Sequence, residues 1–179
     1  MGAELRPTYR AMASRLETER LVLEPFRATD AALYADLIAE RGPGARGFGT
    51  TVDGARRNIA RMARAATDNG IGFLAIRRRD EADLIGYCGL FVGRASIDEP
   101  EIAYELFRRA HGHGYATEAA VAVIEAAAAT GRRRLWSTVR VWNGASLRVL
   151  DKAGFRPHHT EPEDRGGDTV YLVRDLQPV

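Results

Sequence analysis

The stretch from residue 101 to residue 131 constrains the fold most, because a strand, a glycine-rich turn and a helix follow one another there. Residues 101–107 alternate like a strand, residues 111–114 contain two glycines, and an alanine-rich helix is predicted over Tyr115–Ala129. The first turn of a helix has unpaired N–H groups and the positive end of the helix dipole, and glycine lets the backbone approach an anion closely. The pattern predicts a phosphate-binding turn, although a G-x-G sequence is also compatible with a simple tight turn.

Length and composition predict one ordinary globular domain spanning residues 1–179, in which residues 1–15 form a flexible or extended segment. Apolar residues make up 45% of the chain, and no apolar run reaches the roughly 20 residues that a membrane span needs. The first residues do not have the apolar core of a secretory signal. The single cysteine, Cys88, lies in a strand-like run and is interpreted as a buried small residue. We therefore expect a cytoplasmic protein that does not contact a membrane.

The charge pattern argues against a nucleic-acid-binding protein. The net charge is +2, and Lys152 is the only lysine among 26 basic residues. Two short arginine runs, at residues 77–79 and 132–134, lie beside acidic stretches and lack the interleaved aromatic residues typical of nucleic-acid binding. We interpret both runs as solvated turns and helix ends, with phosphate binding by the second run as the alternative.

The rest of the chain alternates strand and helix patterns. Hydrophobic periodicity, caps and glycines predict strands at residues 19–26, 72–78, 83–93, 135–142 and 170–174, and helices at residues 29–39, around 59–66 and at 145–152. Residues 72–93 are predicted to form an antiparallel hairpin. Residues 42–54 form a glycine-rich loop, and the polar residues 158–168 are predicted to be a mobile hairpin tip.

Several motifs resemble those of one enzyme family. The turn matches the pyrophosphate loop of GNAT acetyltransferases, which has Gln or Arg, two residues, Gly, one residue, and Gly or Ala. The further motifs are similar to the branch typified by the ribosomal-protein acetyltransferases RimJ and RimL. The matching segments are Arg109-x-x-Gly112-x-Gly114, Gly114-Tyr-Ala-Thr-Glu-Ala119, Asn143-x-x-Ser146, Leu150-Asp-Lys-Ala-Gly-Phe155 and Thr18-Glu-Arg-Leu-Val-Leu23.

This resemblance implies an α/β (α+β) GNAT fold. Its central sheet is mixed and mostly antiparallel, strands 4 and 5 are parallel and splayed, and about four helices flank the sheet. It also implies acetyl-CoA as a co-substrate and no metal. The histidines His111 and His113 agree with this, since two histidines without a third ligand nearby make a poor metal site.

The resemblance also implies which residues bind the coenzyme. The pantetheine arm is expected to pair with strand backbone at Leu106 and Phe107, and Asn143 and Ser146 are expected to line the far side of its channel. For Asn143, a simple helix cap is an equal alternative. The pyrophosphate is expected at the loop residues, which are Arg109, His111, Gly112, His113, Gly114, Tyr115 and Ala116.

Acetyl transfer to an amine requires a base for the ammonium proton and a proton for the departing thiolate. Glu101 and Glu105 share one strand face, and Glu101 matches the Glu that often opens this strand in the RimJ/RimL-like branch. We therefore expect Glu101 to act as the base through a water. Many GNAT enzymes place a tyrosine acid where this chain has Leu150, so Ser146 is the candidate for protonating or hydrogen-bonding the thiolate.

The expected acceptor is a primary amine, on a protein N-terminus or a small molecule. The alternative is a catalytically silent protein that only binds CoA, which the leucine at position 150 keeps open. Variable loops build the acceptor site in this family, here residues 42–54 and 158–168, and the acidic residues Glu161, Glu163 and Asp164 are suited to attracting a cationic amine. The oligomeric state is open, and a homodimer through sheet edges or the last hairpin is one alternative.

Overall fold

The computed structural model describes residues 9–42, 49–163 and 167–177. The part of the chain that it describes forms one eight-stranded sheet and four α-helices. The strands are β1 (Leu16–Glu17), β2 (Leu21–Glu24), β3 (Phe73–Arg78), β4 (Leu84–Phe91), β5 (Glu101–Leu106), β6 (Arg134–Arg140), β7 (Arg156–Glu161) and β8 (Thr169–Asp175), and the helices are α1 (Ala31–Ala39), α2 (Val52–Asn69), α3 (Tyr115–Ala129) and α4 (Gly144–Lys152).

The sheet is antiparallel except at one central pair of strands. Its strand order is β1-β2-β3-β4-β5-β6-β8-β7, and β5 and β6 are parallel. These two strands pair only at Glu101 and Trp136, whereas β4 pairs with β5 along six positions. The predicted mixed fold is confirmed. The splayed strands predicted as 4 and 5 are β5 and β6, because the two-residue strand β1 was not predicted.

Helices cover both faces of the sheet, and side chains in β5 alternate between the two faces. Ile102 and Leu106 pack with α3 and α4 in the larger apolar cluster. A smaller cluster on the opposite face joins α1 and α2 to Tyr87 and Phe107. Glu101, Ala103 and Glu105 therefore face the side of α1 and α2.

Two arginines predicted to be solvated are buried. Arg77 is 5% exposed and donates to both carboxylate oxygens of Asp30 at 2.7 Å and to Glu24 at 2.9 Å. Arg132 is 2% exposed, and its guanidinium lies 4.4 Å from the ring centroid of Tyr9. Although Arg132 also donates to nearby Thr130, the acidic partners of Arg77 and the ring beside Arg132 are distant in sequence, so the arginine runs gave no local indication of burial.

Strand β7 was also not predicted. It includes residues 158–161 of the predicted hairpin tip and pairs with β8, while residues 164–166 lie outside the described residues. All its side chains are exposed, and its sequence is polar apart from Pro157. As an edge strand it buries no apolar face, so it shows none of the alternation by which strands are recognised in a sequence.

Cys88 lies in β4 and is fully buried. Burial raises the pKa of its thiol well above the usual range. This agrees with the interpretation of Cys88 as a packed small residue, because the thiolate is the reactive form. No helix within the described residues has the length and apolar content to cross a membrane.

Candidate active site

The divergence of β5 and β6 opens a cleft beside the start of α3. The two strands separate after the pairing of Glu101 with Trp136. The cleft beyond that point has a volume of about 430 Å³ and lies between β5, the turn that precedes α3, and α4. The fold thus places the glycine-rich turn at one end of an open channel.

The backbone of β5 presents hydrogen-bonding groups to this gap. The N–H of Phe107 donates to the carbonyl of Ile85 at 2.9 Å, and this bond fixes the alternation along the antiparallel pair. The backbone groups of Tyr104 and Leu106 consequently point away from β4, toward β6. The structure corrects the expectation for Phe107, since its amide is bound to β4 and its side chain is buried with α1 and α2.

The turn before α3 has the geometry of an anion site. Gly112 and Gly114 have φ angles of +81° and +80°, which side-chain-bearing residues rarely adopt. Gly114 is the N-cap of α3 and provides no side-chain cap, so the first amides of the helix have no side-chain acceptor. The positive end of the α3 dipole therefore faces the cleft together with these N–H groups.

Two sequence motifs meet at the first turn of α3 and hold the turn in place. Glu118 accepts hydrogen bonds from the Thr18 hydroxyl at 2.6 Å, from the Arg20 amide at 3.0 Å and from the Arg20 guanidinium at 2.7 Å. Arg20 also donates to the carbonyl of His113 at 2.9 Å and lies 4.8 Å from the Tyr115 ring centroid. The motif at Thr18–Leu23 and the motif at Gly114–Ala119 are therefore in direct contact.

Replacing Glu118 with glutamine is expected to lower the free energy of unfolding by about 2 kcal/mol at pH 7, because charge-assisted hydrogen bonds are lost. Burial raises the pKa of Glu118, but the hydrogen bonds from Thr18 and Arg20 outweigh it and lower this pKa below the usual value. A lowered pKa gives stability that is present above the unfolded-state pKa and is lost as the pH falls through the folded-state pKa. Denaturant unfolding at pH 7 and pH 3 checks this, and an equal difference at both pH values would contradict it.

The cleft collects most of the predicted coenzyme-binding residues but not all of them. Phe107, Arg109 and His113 do not line it. The side chain of Arg109 points toward β4, donates to the Leu84 carbonyl at 2.9 Å and lies 3.4 Å from Asp83. It therefore links the turn before α3 to the start of β4 and does not enter the cleft. The predicted residues that line the cleft are Leu106, His111, Gly112, Gly114, Tyr115, Ala116, Asn143 and Ser146.

A pair of hydroxyl groups lies on the α4 side of the cleft. The Oγ of Ser146 is 2.9 Å from the hydroxyl of Tyr104, which also donates to the Ser146 carbonyl at 3.0 Å. Burial raises the pKa of Tyr104 to about 12, so this phenol stays protonated at neutral pH. Asn143 caps α4 by accepting from the Ser146 amide at 3.1 Å. Tyr104 was not predicted, because its contact with Ser146 spans 42 residues.

Leu150, which replaces the tyrosine of many GNAT enzymes, is fully buried and packs in the larger apolar cluster. It is a core residue, and it is not among the residues that line the cleft. The phenol at position 104 instead provides a hydroxyl at this wall of the cleft.

Glu105 lines the cleft but is held in an ion pair. Its carboxylate accepts from Arg41 at 2.7 Å and from the Tyr87 hydroxyl at 2.9 Å. The hydrogen bond with Glu105 raises the pKa of Arg41 still further, so this arginine remains charged. The Glu105 carboxylate therefore already has a cationic partner within the protein.

Glu101 lies outside this cleft, at the point where β5 and β6 last pair. It is 2% exposed, and its carboxylate accepts from the Thr138 hydroxyl at 2.9 Å and from the Arg94 backbone amide. It forms no ion pair with any residue in the described ranges. It instead lines a second cavity, of about 410 Å³, on the face of the sheet opposite α3 and α4.

Basic side chains surround the mouth of the cleft. Arg108, Arg148 and Lys152 line it together with the acidic residue Glu40. This charge suits a phosphorylated ligand. Within residues 9–42, 49–163 and 167–177, no group of three or more potential metal ligands lies together. His111 contacts the Leu106 carbonyl through Nε2 at 2.9 Å.

The sheet opens where its parallel strands β5 and β6 separate, beside a helix whose N-cap is a glycine. This is the architecture of an acyl-CoA-dependent acetyltransferase. A family model described as an acetyltransferase (GNAT) domain matches residues 20–156. The chain therefore belongs to the GNAT acetyltransferase family.

Solved structures of similar fold support this assignment. An acetyltransferase from Agrobacterium tumefaciens str. C58 is 27% identical, with a TM-score of 0.74 over 89% of this chain and 93% of that one. The ribosomal-protein-S5-alanine acetyltransferase from Vibrio fischeri is 15% identical, with a TM-score of 0.76 over 91% and 97%. The microcin C7 self-immunity acetyltransferase MccE, in complex with acetyl-CoA and AMP, is 16% identical, with a TM-score of 0.74 over 89% and 94%. No curated protein matches the chain.

Proposed function

We propose that this protein transfers an acetyl group from acetyl-CoA to a primary amine by direct attack of the amine. The single observation that carries the proposal is the cleft, which joins the backbone of β5, the first amides of α3 and a hydroxyl pair along one continuous channel. The channel has the groups that a thioester with a phosphorylated arm requires. Acetyl-CoA in the complex of MccE, a protein of the same fold, supports the choice of donor.

The residues of the cleft have separate roles in binding acetyl-CoA. Backbone groups of Tyr104 and Leu106 pair with the amides of the pantetheine arm, as an added strand would. The amides of Gly112, Gly114, Tyr115 and Ala116 and the α3 dipole hold the pyrophosphate, since the His111 amide already donates to the Arg108 carbonyl at 3.1 Å. Arg148 and Lys152 add positive charge where the phosphates enter.

Glu101 is the proposed base. It takes the ammonium proton through a water, and the neutral amine nitrogen then attacks the thioester carbonyl carbon. Its carboxylate has no cationic partner within the described parts of the chain, whereas the carboxylate of Glu105 is bound by Arg41. The amide N–H groups of β5 that face the gap stabilise the oxyanion.

The Tyr104–Ser146 hydroxyl pair is proposed to supply the proton for the thiolate. When the carbon–sulfur bond breaks, Ser146 protonates the sulfur and takes a proton from Tyr104, so that CoA leaves as the free thiol. The attacking nitrogen then loses its extra proton to water, and Tyr104 regains a proton from water. The pKa of about 12 for Tyr104 keeps that proton available at neutral pH. In this role the hydroxyl pair replaces the tyrosine that many GNAT enzymes have where this chain has Leu150.

Replacing Tyr104 with phenylalanine is expected to lower kcat by about 10- to 100-fold with little change in KM for acetyl-CoA, since the ring is kept and only the hydroxyl is lost. If the two hydroxyls act as one unit, Ser146→Ala together with Tyr104→Phe will cost no more than the worse single variant. Steady-state kinetics checks this, and additive losses would contradict the shared role.

A thiol-release assay with acetyl-CoA and a panel of peptides and small amines tests the proposal. Release that depends on an amine, with a mass increase of one acetyl group on that amine, is expected. The rival is a protein that binds the coenzyme without turnover. Binding of acetyl-CoA with no release from any amine would favour that rival.

A further inference from the structure

A second cavity lies beside Glu101, on the side of the sheet away from α3 and α4. It has a volume of about 410 Å³ and is bounded by the segment after β4, the first residues of β5 and the pair β7–β8. Glu101 is common to its wall and to the last pairing of β5 with β6. The cavity therefore begins where the gap for the coenzyme begins.

The deepest acidic group of this cavity has an uncompensated charge. Glu101 is 2% exposed, and only neutral donors reach it, namely the Thr138 hydroxyl and the Arg94 amide. A buried carboxylate is costly unless it is paired with a cation. Since the described residues provide no cationic partner, a cationic ligand in the cavity would complete the pair.

Two further carboxylates lie at the rim, on opposite sides. Glu99 accepts from the indole N–H of Trp136 at 2.8 Å, and Glu161 accepts from the Tyr171 hydroxyl at 2.8 Å. Both side chains are about half exposed, at 41% and 51%. Arg134 lies 3.9 Å from Glu99 but is bound more closely by Asp175 at 2.7 Å, and His159 lies 3.4 Å from Glu161. The rim carboxylates, Glu99 and Glu161, therefore form a second anionic position above the buried one.

Aromatic rings also line this cavity. The ring of His159 stacks on Tyr171 with centroids 4.3 Å apart, the Arg94 guanidinium lies 5.9 Å from the Tyr171 ring centroid, and Trp136 lines the same cavity. The faces of such rings attract organic cations and cover their methylene groups. The cavity thus combines aromatic walls with three carboxylates.

The one arginine that lines the cavity does not cancel this charge. The guanidinium of Arg94 donates to the Tyr171 hydroxyl at 2.9 Å and forms an ion pair with Glu163 at 2.8 Å. Glu163 does not line the cavity, and it also pairs with Arg140 at 2.6 Å. The lining itself contains three carboxylates and this one arginine, so its acidic groups outnumber its basic ones.

We infer that this cavity binds the acceptor as a linear diamine or polyamine. One ammonium group lies against Glu101, which takes a proton from it through a water so that the neutral nitrogen attacks the thioester, and the second ammonium group lies between the rim carboxylates Glu99 and Glu161. The inference rests on the proposed function where it takes the bound cation to be the acceptor. The binding itself requires no acetyl transfer.

The test measures binding in the absence of acetyl-CoA. The chain has two tryptophans, so Trp142→Phe leaves Trp136, in the cavity wall, as the only fluorescent indole. Titration with 1,4-diaminobutane is expected to change its fluorescence to saturation, at a concentration about tenfold lower than n-butylamine requires. Butan-1-ol, which is neutral, is expected to give no saturable change.

Variants separate the two anionic positions. Glu99→Gln with Glu161→Gln is expected to make the diamine bind no better than n-butylamine. Glu125→Gln removes one exposed carboxylate on α3 and serves as the matched control, with no change expected. Equal affinity of diamine and monoamine for the unaltered chain, or no saturable change with either, would overturn the inference.

Activity then distinguishes failure of this inference from failure of the proposed function. With acetyl-CoA present, KM for 1,4-diaminobutane is expected to be about tenfold below KM for n-butylamine, and the rim variants are expected to remove that difference. Tight diamine binding with no thiol release from any amine of the panel would refute both the proposed function and the acceptor role, and the cavity would then be a cation-binding site without acetyl transfer. Release from peptides alone would overturn the diamine assignment and keep the transferase.

Discussion

Replacing Glu101 with glutamine is expected to lower kcat by about 10²- to 10⁴-fold while the affinity for acetyl-CoA stays unchanged. Glutamine has the same shape, its amide oxygen still accepts from the Arg94 amide, and its NH₂ group can donate to the Thr138 hydroxyl oxygen, but it cannot take a proton. The coenzyme cleft does not include residue 101, so binding of the donor is not affected. The loss therefore falls on the chemical step, measured by steady-state kinetics with a saturating donor.

Glu105→Gln is the matched comparison, because it changes the same residue type on the same face of β5. Its carboxylate is already bound by Arg41, so a smaller loss, about tenfold or less, is expected. A larger loss at position 105 than at position 101 would contradict the assignment of the base. Thermal melting of both variants checks that the fold is kept.

Replacing Asp30 with alanine is expected to lower the free energy of unfolding by about 3–5 kcal/mol. Asp30 lies directly before α1 and binds the Arg77 guanidinium through both carboxylate oxygens, with side-chain exposures of 5% and 7%. Without it, the buried Arg77 guanidinium keeps, among residues 9–42, 49–163 and 167–177, only Glu24 as an anionic partner. Urea unfolding followed by circular dichroism measures the loss.

Asp53→Ala is the control for this stability effect. Asp53 also pairs with an arginine, Arg56 at 2.9 Å, but both side chains are exposed, and less than about 1 kcal/mol is expected. Adding Arg77→Met to Asp30→Ala is expected to recover part of the loss, because the unpaired charge is then removed. A loss from Asp30→Ala no larger than that from Asp53→Ala would show that the buried pair does not hold α1 to β3.

Local patterns in the sequence predicted the elements next to the cleft well. The predicted helix over Tyr115–Ala129 has the same bounds in the structure, since glycines mark both of its ends. The hairpin of β3 and β4 is confirmed, and its strands contain the runs of apolar residues typical of buried strands. Periodicity also placed Glu101 and Glu105 on one face of β5.

What the sequence did not predict depends on contacts between distant residues. The burial of Arg77 needs Asp30, 47 residues away, and the hydroxyl pair needs Tyr104 and Ser146 to meet across the splayed strands. The environments of Glu101 and Glu105 differ because Arg41 reaches only one of them. Such differences follow from tertiary packing, which sequence spacing does not specify.

A calorimetric titration of acetyl-CoA into the purified protein, compared with acetyl-pantetheine, which lacks the pyrophosphate, tests directly whether the cleft is the coenzyme site. We expect acetyl-CoA to bind at one site, with affinity at least about 100-fold above that of acetyl-pantetheine, because the amides and dipole at the start of α3 hold the pyrophosphate. No binding of acetyl-CoA, or equal affinity for both compounds, would contradict the assignment of this cleft as the coenzyme site.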